Sequence, residues 1–283
     1  MNIGIIGLGL IGGTIAKSLN KNHHINAYDI NKETINYAIN NKIIHKGYNN
    51  LEEFLKDNSL IYLCLYPLDI VHFIEKYSSK INKNSLIIEI SGIKTNLVNE
   101  IEKIKNKNYD IIFTHPIAGS EKIGIRYADE NIFKDANYII TPIKTNIETN
   151  IKLAKRLAKE MNFKNISFLT KEEHDKIIAY TSQLTHILSL SLVNSIDTNL
   201  KLVNYIGDSY KDLTRIAEIN TKLWPQLFID NKENLIEKIT KFEIELSKYK
   251  KALKNEDDVA LTKLMEKSKS IHNKAMEETD NES

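Results

Sequence analysis

The sequence predicts an α/β protein: a doubly wound sheet in the N-terminal part of the 283-residue chain, followed by an all-α second domain. Three observations carry that prediction. Short, continuously apolar runs alternate with helical stretches of 10–15 residues up to about position 169, the pattern of a parallel sheet covered on both faces. The first such unit holds Gly7-Leu8-Gly9-Leu10-Ile11-Gly12 between a strand and a helix. From Thr170 onward the strand signal stops and only helical periodicity remains.

Taken in order, Ile3 to Ile6 form a first strand that leads into the glycine loop, a helix runs from Thr14 to Leu19, and a second strand ends at Asp29. This is the dinucleotide-binding fingerprint in its required setting, so the sheet is expected to be of Rossmann type. Gly7 permits a tight turn, Gly9 allows the backbone close to a pyrophosphate, and Gly12 lets the helix pack on the strand. Leu10 and Ile11 open the helix whose free N–H groups would face the phosphates. Asp29 stands where a carboxylate accepts both ribose hydroxyls and repels a 2′-phosphate, which favours NAD over NADP. A helix over about 31–41 precedes a short strand near Ile43-Ile44. The run LIYLCL (60–65) follows, and its last residue, Leu65, joins the candidate cofactor contacts. A helix from Tyr66-Pro67 to about Lys80, strands at 85–90, 109–114, 137–141 and 165–169, and helices over 95–107 and 146–161 complete the first domain, residues 1–169.

Thr170 and Glu173 form a capping box that opens a long helix through about Ile196, and further helices follow, including a charged stretch over about 231–253. The helical domain is expected to span 170–270, with a polar tail over 271–283. Ile187, Leu188, Leu190, Leu192 and Val193 give one helix more apolar surface than a small monomeric domain needs, so two copies are expected to pair through it as a homodimer.

The 39 basic and 37 acidic residues leave a formal charge of +2, which gives no electrostatic case for nucleic acid or membrane partners. The single cysteine, Cys64, cannot make an internal disulfide, which fits a reducing compartment. A strand beginning at residue 2 leaves no room for a signal peptide, and no apolar stretch approaches the roughly 20 residues of a membrane span. A cytoplasmic location is expected, and no metal site is predicted.

Three further segments carry polar residues that packing does not require: His115-Pro116-Ile117-Ala118-Gly119-Ser120-Glu121; Glu173-His174-Asp175 with Ser182-Gln183-Leu184-Thr185-His186; and Lys211-Asp212-Leu213-Thr214-Arg215-Ile216-Ala217. Together with the glycine loop and the stretch holding Trp224, Asn231 and Asn234, they resemble the prephenate dehydrogenase family of tyrosine biosynthesis over about residues 1–250. The resemblance implies NAD-dependent oxidative decarboxylation of prephenate to 4-hydroxyphenylpyruvate, or of arogenate to tyrosine. It implies that His115 accepts the 4-hydroxyl proton and that Arg215 holds a substrate carboxylate. Asp212, one helical turn before Arg215, is positioned to orient its fork, although such a pair also occurs as an ordinary surface ion pair. His186 matches a family histidine at the substrate's side-chain end, and Ser120 with Glu121 match a hydroxyl-plus-acid pair implied to contact and gate the substrate. Asp175, Ala179, Ser182, His186 and Ser189 fall on one stripe at helical spacing, facing either a cleft or solvent. His174 fits an exposed first-turn position and is assigned no role.

Two departures stand out. In Glu89-Ile90-Ser91-Gly92-Ile93-Lys94, Gly92 occupies the position where the family carries a hydroxyl, and Ser91, one residue earlier, is the candidate substrate contact. Gln183 and Thr185 replace a His and a Pro of the family pattern. Two other readings are carried. A β-hydroxyacid dehydrogenase would use a lysine of its second domain, whereas this chain offers His115 and Arg215. A non-catalytic NAD-responsive dimer is disfavoured by the joint presence of His115, Arg215 and Asp29.

Overall fold

The computed structural model describes residues 1–105, 107–197 and 204–281. Eight strands, β1 (Asn2–Ile6), β2 (His24–Tyr28), β3 (Lys46–Tyr48), β4 (Leu60–Leu63), β5 (Leu86–Glu89), β6 (Asp110–Ile117), β7 (Asn137–Thr141) and β8 (Asn165–Phe168), form one sheet in the order β3-β2-β1-β4-β5-β6-β7-β8. All neighbours are parallel except β6 and β7, which run antiparallel. The connecting helices are α1 (Leu10–Leu19), α2 (Lys32–Asn40), α3 (Leu51–Asp57), α4 (Pro67–Tyr77), α5 (Thr95–Lys103) and α6 (Glu148–Glu160).

The apolar runs are explained by cover on both faces. Leu60 and Tyr62 of β4, Leu86 and Ile88 of β5 and Ile112 of β6 enter one core with α1, α2 and α6. Their alternates Ile61, Leu63, Ile87, Ile111 and Phe113 enter the other, with α3, α4 and α5. The strand order reverses beside β1 and β4, and in such sheets ligands bind outside the carboxyl ends of the strands around that point.

Three local expectations are corrected. The short strand lies at Lys46–Tyr48, not Ile43-Ile44; the two isoleucines are buried in the turn before it, so their apolarity reflects core packing. Helix α3 was not anticipated: its seven residues are too few to show helical periodicity, but Asn50 caps it by accepting from the N–H groups of Glu52 and Glu53. Strand β6 runs on through His115, Pro116 and Ile117, because the antiparallel β7 pairs with it there.

Beyond the sheet, the capping box at Thr170 is formed and opens α7 (Lys171–Ile178). The helix then passes through a π-helical turn, Ala179–Leu184, into α8 (Thr185–Asn194). Next come α9 (Asp208–Thr214), a 3₁₀ turn at Arg215–Ala217, and α10 (Trp224–Asp230). Helices α11 (Lys232–Lys254) and α12 (Asp258–Asn281) complete the described residues. Chain packing divides the protein into two compact units, Met1–Lys232 and the region from Glu233 onward. Within the second, Lys267 of α12 meets Glu245 of α11 at 3.7 Å. The stretch expected as a polar tail continues α12 to Asn281. No helix among the described residues is long and apolar enough to cross a membrane.

Candidate active site

The carboxyl end of β1 turns at Gly7, whose φ of +90° lies in the region open to glycine, and a β-carbon there would meet the Cys64 carbonyl oxygen at 2.4 Å. A β-carbon at Gly12 would meet the Gly7 carbonyl oxygen at 2.0 Å, so α1 could not approach the loop with any other residue there. Gly9 is different: a β-carbon would meet nothing within 4 Å, and this residue caps α1 without a side chain. The first N–H groups of the helix therefore face open space, as a pyrophosphate site requires. Leu10 and Ile11 are half-buried on that first turn, and Leu65 packs beside Gly7. Asp29, at the end of β2, is held against the loop by the Leu8 N–H at 2.7 Å and the Asn31 N–H at 2.8 Å. Glycine loop and carboxylate together fit a dinucleotide with an unphosphorylated ribose. Burial pushes the thiol of nearby Cys64 above its usual range, so it stays protonated.

Three strands along from β1, His115 lies on β6. Its Nδ1 lies 2.9 Å from Nε2 of His174, and Nδ1 of His174 lies 2.7 Å from the Asp175 carboxylate. These distances determine the tautomers. A carboxylate only accepts, so His174 donates from Nδ1 and accepts at Nε2. His115 must then donate from Nδ1, which leaves Nε2 bare. That bare nitrogen lies beside Gly92, where a β-carbon would sit in ordinary contact, 3.6 Å from Nε2 and 3.6 Å from Leu227 of α10. Burial, with His174 and Lys94 adding to it, holds the His115 imidazole well below its ordinary pKa, so the ring is neutral at pH 7. Burial also lowers His174, against the opposing pull of Asp175. Burial raises the Asp175 carboxyl, but hydrogen bonds from His174 and the Thr95 N–H outweigh it and the net shift is downward.

His174 is thus fully buried, contrary to the exposed position read from the sequence. The helix carrying it lies against the β5–α5 turn: Asp175 accepts from the backbone N–H of Lys94 at 2.9 Å and of Thr95 at 2.7 Å. The single helical stripe is also corrected. The π-helical turn interrupts the 3.6-residue period, so Asp175 faces the β5–α5 turn while His186 faces α10. There His186 stacks on Trp224 with ring centroids 3.8 Å apart, and burial, opposed by the Ser182 carbonyl and aided by Arg215, lowers its pKa. Gln183 is buried in the same turn. It donates to the Leu227 carbonyl and accepts from Asn231, which also donates to the Asp175 carbonyl, tying α10 to the histidine-bearing helix.

Arg215 meets Glu121 at 3.7 Å, not Asp212, which sits exposed on α9. The predicted i,i+3 pair does not form, because Arg215, where α9 gives way to a 3₁₀ turn, is drawn to the Glu121 carboxylate instead. Gly92 thus lies between His115 and Leu227 of α10, while Trp224 of the same helix stacks on His186, whose ring feels the Arg215 charge; Arg215 in turn meets Glu121, six residues beyond His115. Ser120 is exposed and its hydroxyl accepts from the Lys122 N–H. Ser91, expected to contact substrate, is buried, and its hydroxyl donates to the Ile93 carbonyl at 3.0 Å. Sequence reading missed His174, Gln183 and Leu227. The sequence marks Asp175 and Gln183 as polar residues on a helix, but their direction depends on the π-helical turn.

A dinucleotide loop and a buried, neutral histidine toward the carboxyl ends of strands of one sheet fit a nucleotide-dependent dehydrogenase. Residues 15–167 match the nucleotide-binding domain of prephenate dehydrogenase, and residues 170–267 match its dimerization domain. The chain belongs to the prephenate dehydrogenase family. It is 27% identical to prephenate dehydrogenase of Bacillus subtilis over 89% of this chain and 70% of that one. The crystal structure of prephenate dehydrogenase from A. aeolicus in complex with hydroxyphenyl propionate and NAD+ superposes with a TM-score of 0.85 at 30% identity, covering 98% of each chain. Synechocystis arogenate dehydrogenase shares the fold, with a TM-score of 0.80 at 23% identity over 97% of this chain and all of that one.

Proposed function

We propose that this chain carries out NAD-dependent oxidative decarboxylation of prephenate, yielding 4-hydroxyphenylpyruvate. NAD, when bound, supplies the acceptor for the hydride that leaves C4 of the ring. Gly7, Gly9 and Gly12, the N–H groups at Leu10 and Ile11, and Asp29 would hold it, with Leu65 alongside.

His115 takes the 4-hydroxyl proton on Nε2 as C4 becomes a carbonyl carbon. The charge gained on that ring is shared through His174 with the Asp175 carboxylate. The bond from C1 to its carboxylate then breaks, and its electron pair aromatises the ring. The oxygen regains its proton from His115 as CO₂ departs. Arg215 holds a substrate carboxylate, with Glu121 as its partner when the site is open. His186, stacked on Trp224, borders the substrate's side chain, and the dimerization domain brings a second copy.

The observation that carries this reading is the hydrogen-bonded series Asp175–His174–His115, which leaves one bare nitrogen beside Gly92. The test follows absorbance at 340 nm with prephenate and with arogenate, each with NAD and NADP. Prephenate with NAD should give the highest kcat/KM, and His115→Asn should lower kcat by roughly 10²–10⁴-fold with KM little changed. Preference for arogenate would reassign the substrate, and full turnover by the variant would remove His115 from the mechanism.

A further inference from the structure

Lys94 and Glu89 are wholly buried and paired at 2.7 Å. The Lys94 ammonium spends its donors inside the turn: on Glu89, on the Ser91 carbonyl at 2.6 Å and towards the Ser91 hydroxyl at 3.4 Å. The other Glu89 oxygen accepts from the Ser91 N–H. Buried ion pairs of this kind are weak sources of stability, since desolvation offsets most of their attraction. Their position is informative here, because the backbone N–H of Lys94 itself grips Asp175.

We propose that the Glu89–Lys94 pair is a positioning element for the histidine base: it shapes the turn that holds Asp175 and fixes a positive charge, the Lys94 ammonium, within that turn. The proposal rests on His115 acting as the base. Charged and titratable groups reach the two rings from few directions. Asp175 approaches from α7, and Lys94 and Glu89 from the β5–α5 turn. Asp230 on α10 acts on Asp175 rather than on the rings, and Arg215 pairs with Glu121 at the surface. Lys94 opposes protonation of both rings, whereas Glu89 favours it only at His174 and more weakly than Lys94 opposes it. Removing both charges therefore eases protonation.

The decisive variant is the double substitution Glu89→Gln with Lys94→Gln. Two amides can reproduce the hydrogen bonds of the turn while both charges are lost. In the full-length protein, NMR titration of the histidine rings should move upward by about 1 pH unit. The acid limb of kcat/KM should move up with it, while kcat on the plateau stays within about threefold of the parent. Lys94→Met, which also unties the turn, should lose plateau kcat in addition. A folded double variant with unmoved ring titrations would overturn the proposal, and so would failure of that variant to fold, since the pair would then serve stability alone. Ring titrations that move in a protein inactive on prephenate would leave the positioning role standing and remove the proposed reaction instead.

Discussion

Replacing Asp175 with Asn tests the tautomer argument at its root. The carboxylate accepts three hydrogen bonds: from His174 Nδ1 at 2.7 Å, from the Lys94 N–H at 2.9 Å and from the Thr95 N–H at 2.7 Å. An amide has one oxygen, so its NH₂ group must face either His174 and Lys94 or Thr95. In the first arrangement His174 becomes an acceptor at Nδ1 and donates from Nε2, forcing the proton of His115 onto its outward nitrogen and removing the base. In both arrangements a buried N–H loses its partner, which costs about 1–3 kcal/mol. The proton misplacement should lower kcat by about 10²–10⁴-fold, the scale set by general-base loss and by wrong-tautomer variants of other histidine enzymes. KM for NAD should be unchanged, because the glycine loop is built from other strands. Thermal unfolding should shift down by about 2–4 °C for each kcal/mol lost. Turnover is read at 340 nm and folding by circular dichroism, with ring NMR reporting the nitrogen that carries the proton. A variant whose ring NMR places the His115 proton on Nε2, yet whose kcat stays within threefold of the parent, would refute the reasoning.

Other outcomes follow from the same geometry. Arg215→Ala should raise KM for substrate by about 10–100-fold, the value of a charge-assisted hydrogen bond, and leave NAD affinity intact, as measured by cofactor fluorescence titration. Asp29→Ala should weaken NAD binding about 10–100-fold and narrow the discrimination against NADP, read by paired titrations with the two cofactors. The His115 ring is neutral in the fold and has a depressed pKa, whereas in the unfolded chain it titrates near 6.5. Its contribution to stability is therefore complete above about pH 6.5 and is lost as pH falls toward the lowered value in the fold. The loss is about 1.4 kcal/mol per pH unit across that window. Denaturant unfolding from pH 7 to pH 5 should show this slope, and His115→Asn should reduce it.

Much of this protein was determined locally. The glycine spacing from Gly7 to Gly12, the acid at Asp29 and the apolar strands encode the sheet and its nucleotide edge. Turn geometry and period-2 burial depend on neighbours only a few residues away. His115 and Arg215 were legible as chemistry-bearing residues for the same reason. The tertiary structure alone decided what surrounds them. His174 has the local setting of an exposed first-turn residue and becomes buried only because α7 docks its first turn on the β5–α5 turn. The partner of Arg215 is Glu121 rather than Asp212, and the π-helical turn splits one apparent stripe between two faces. These outcomes rest on contacts between segments about 60 to 95 positions apart in the chain, and helical or strand periodicity carries no information about which distant group fills a buried hydrogen-bonding site.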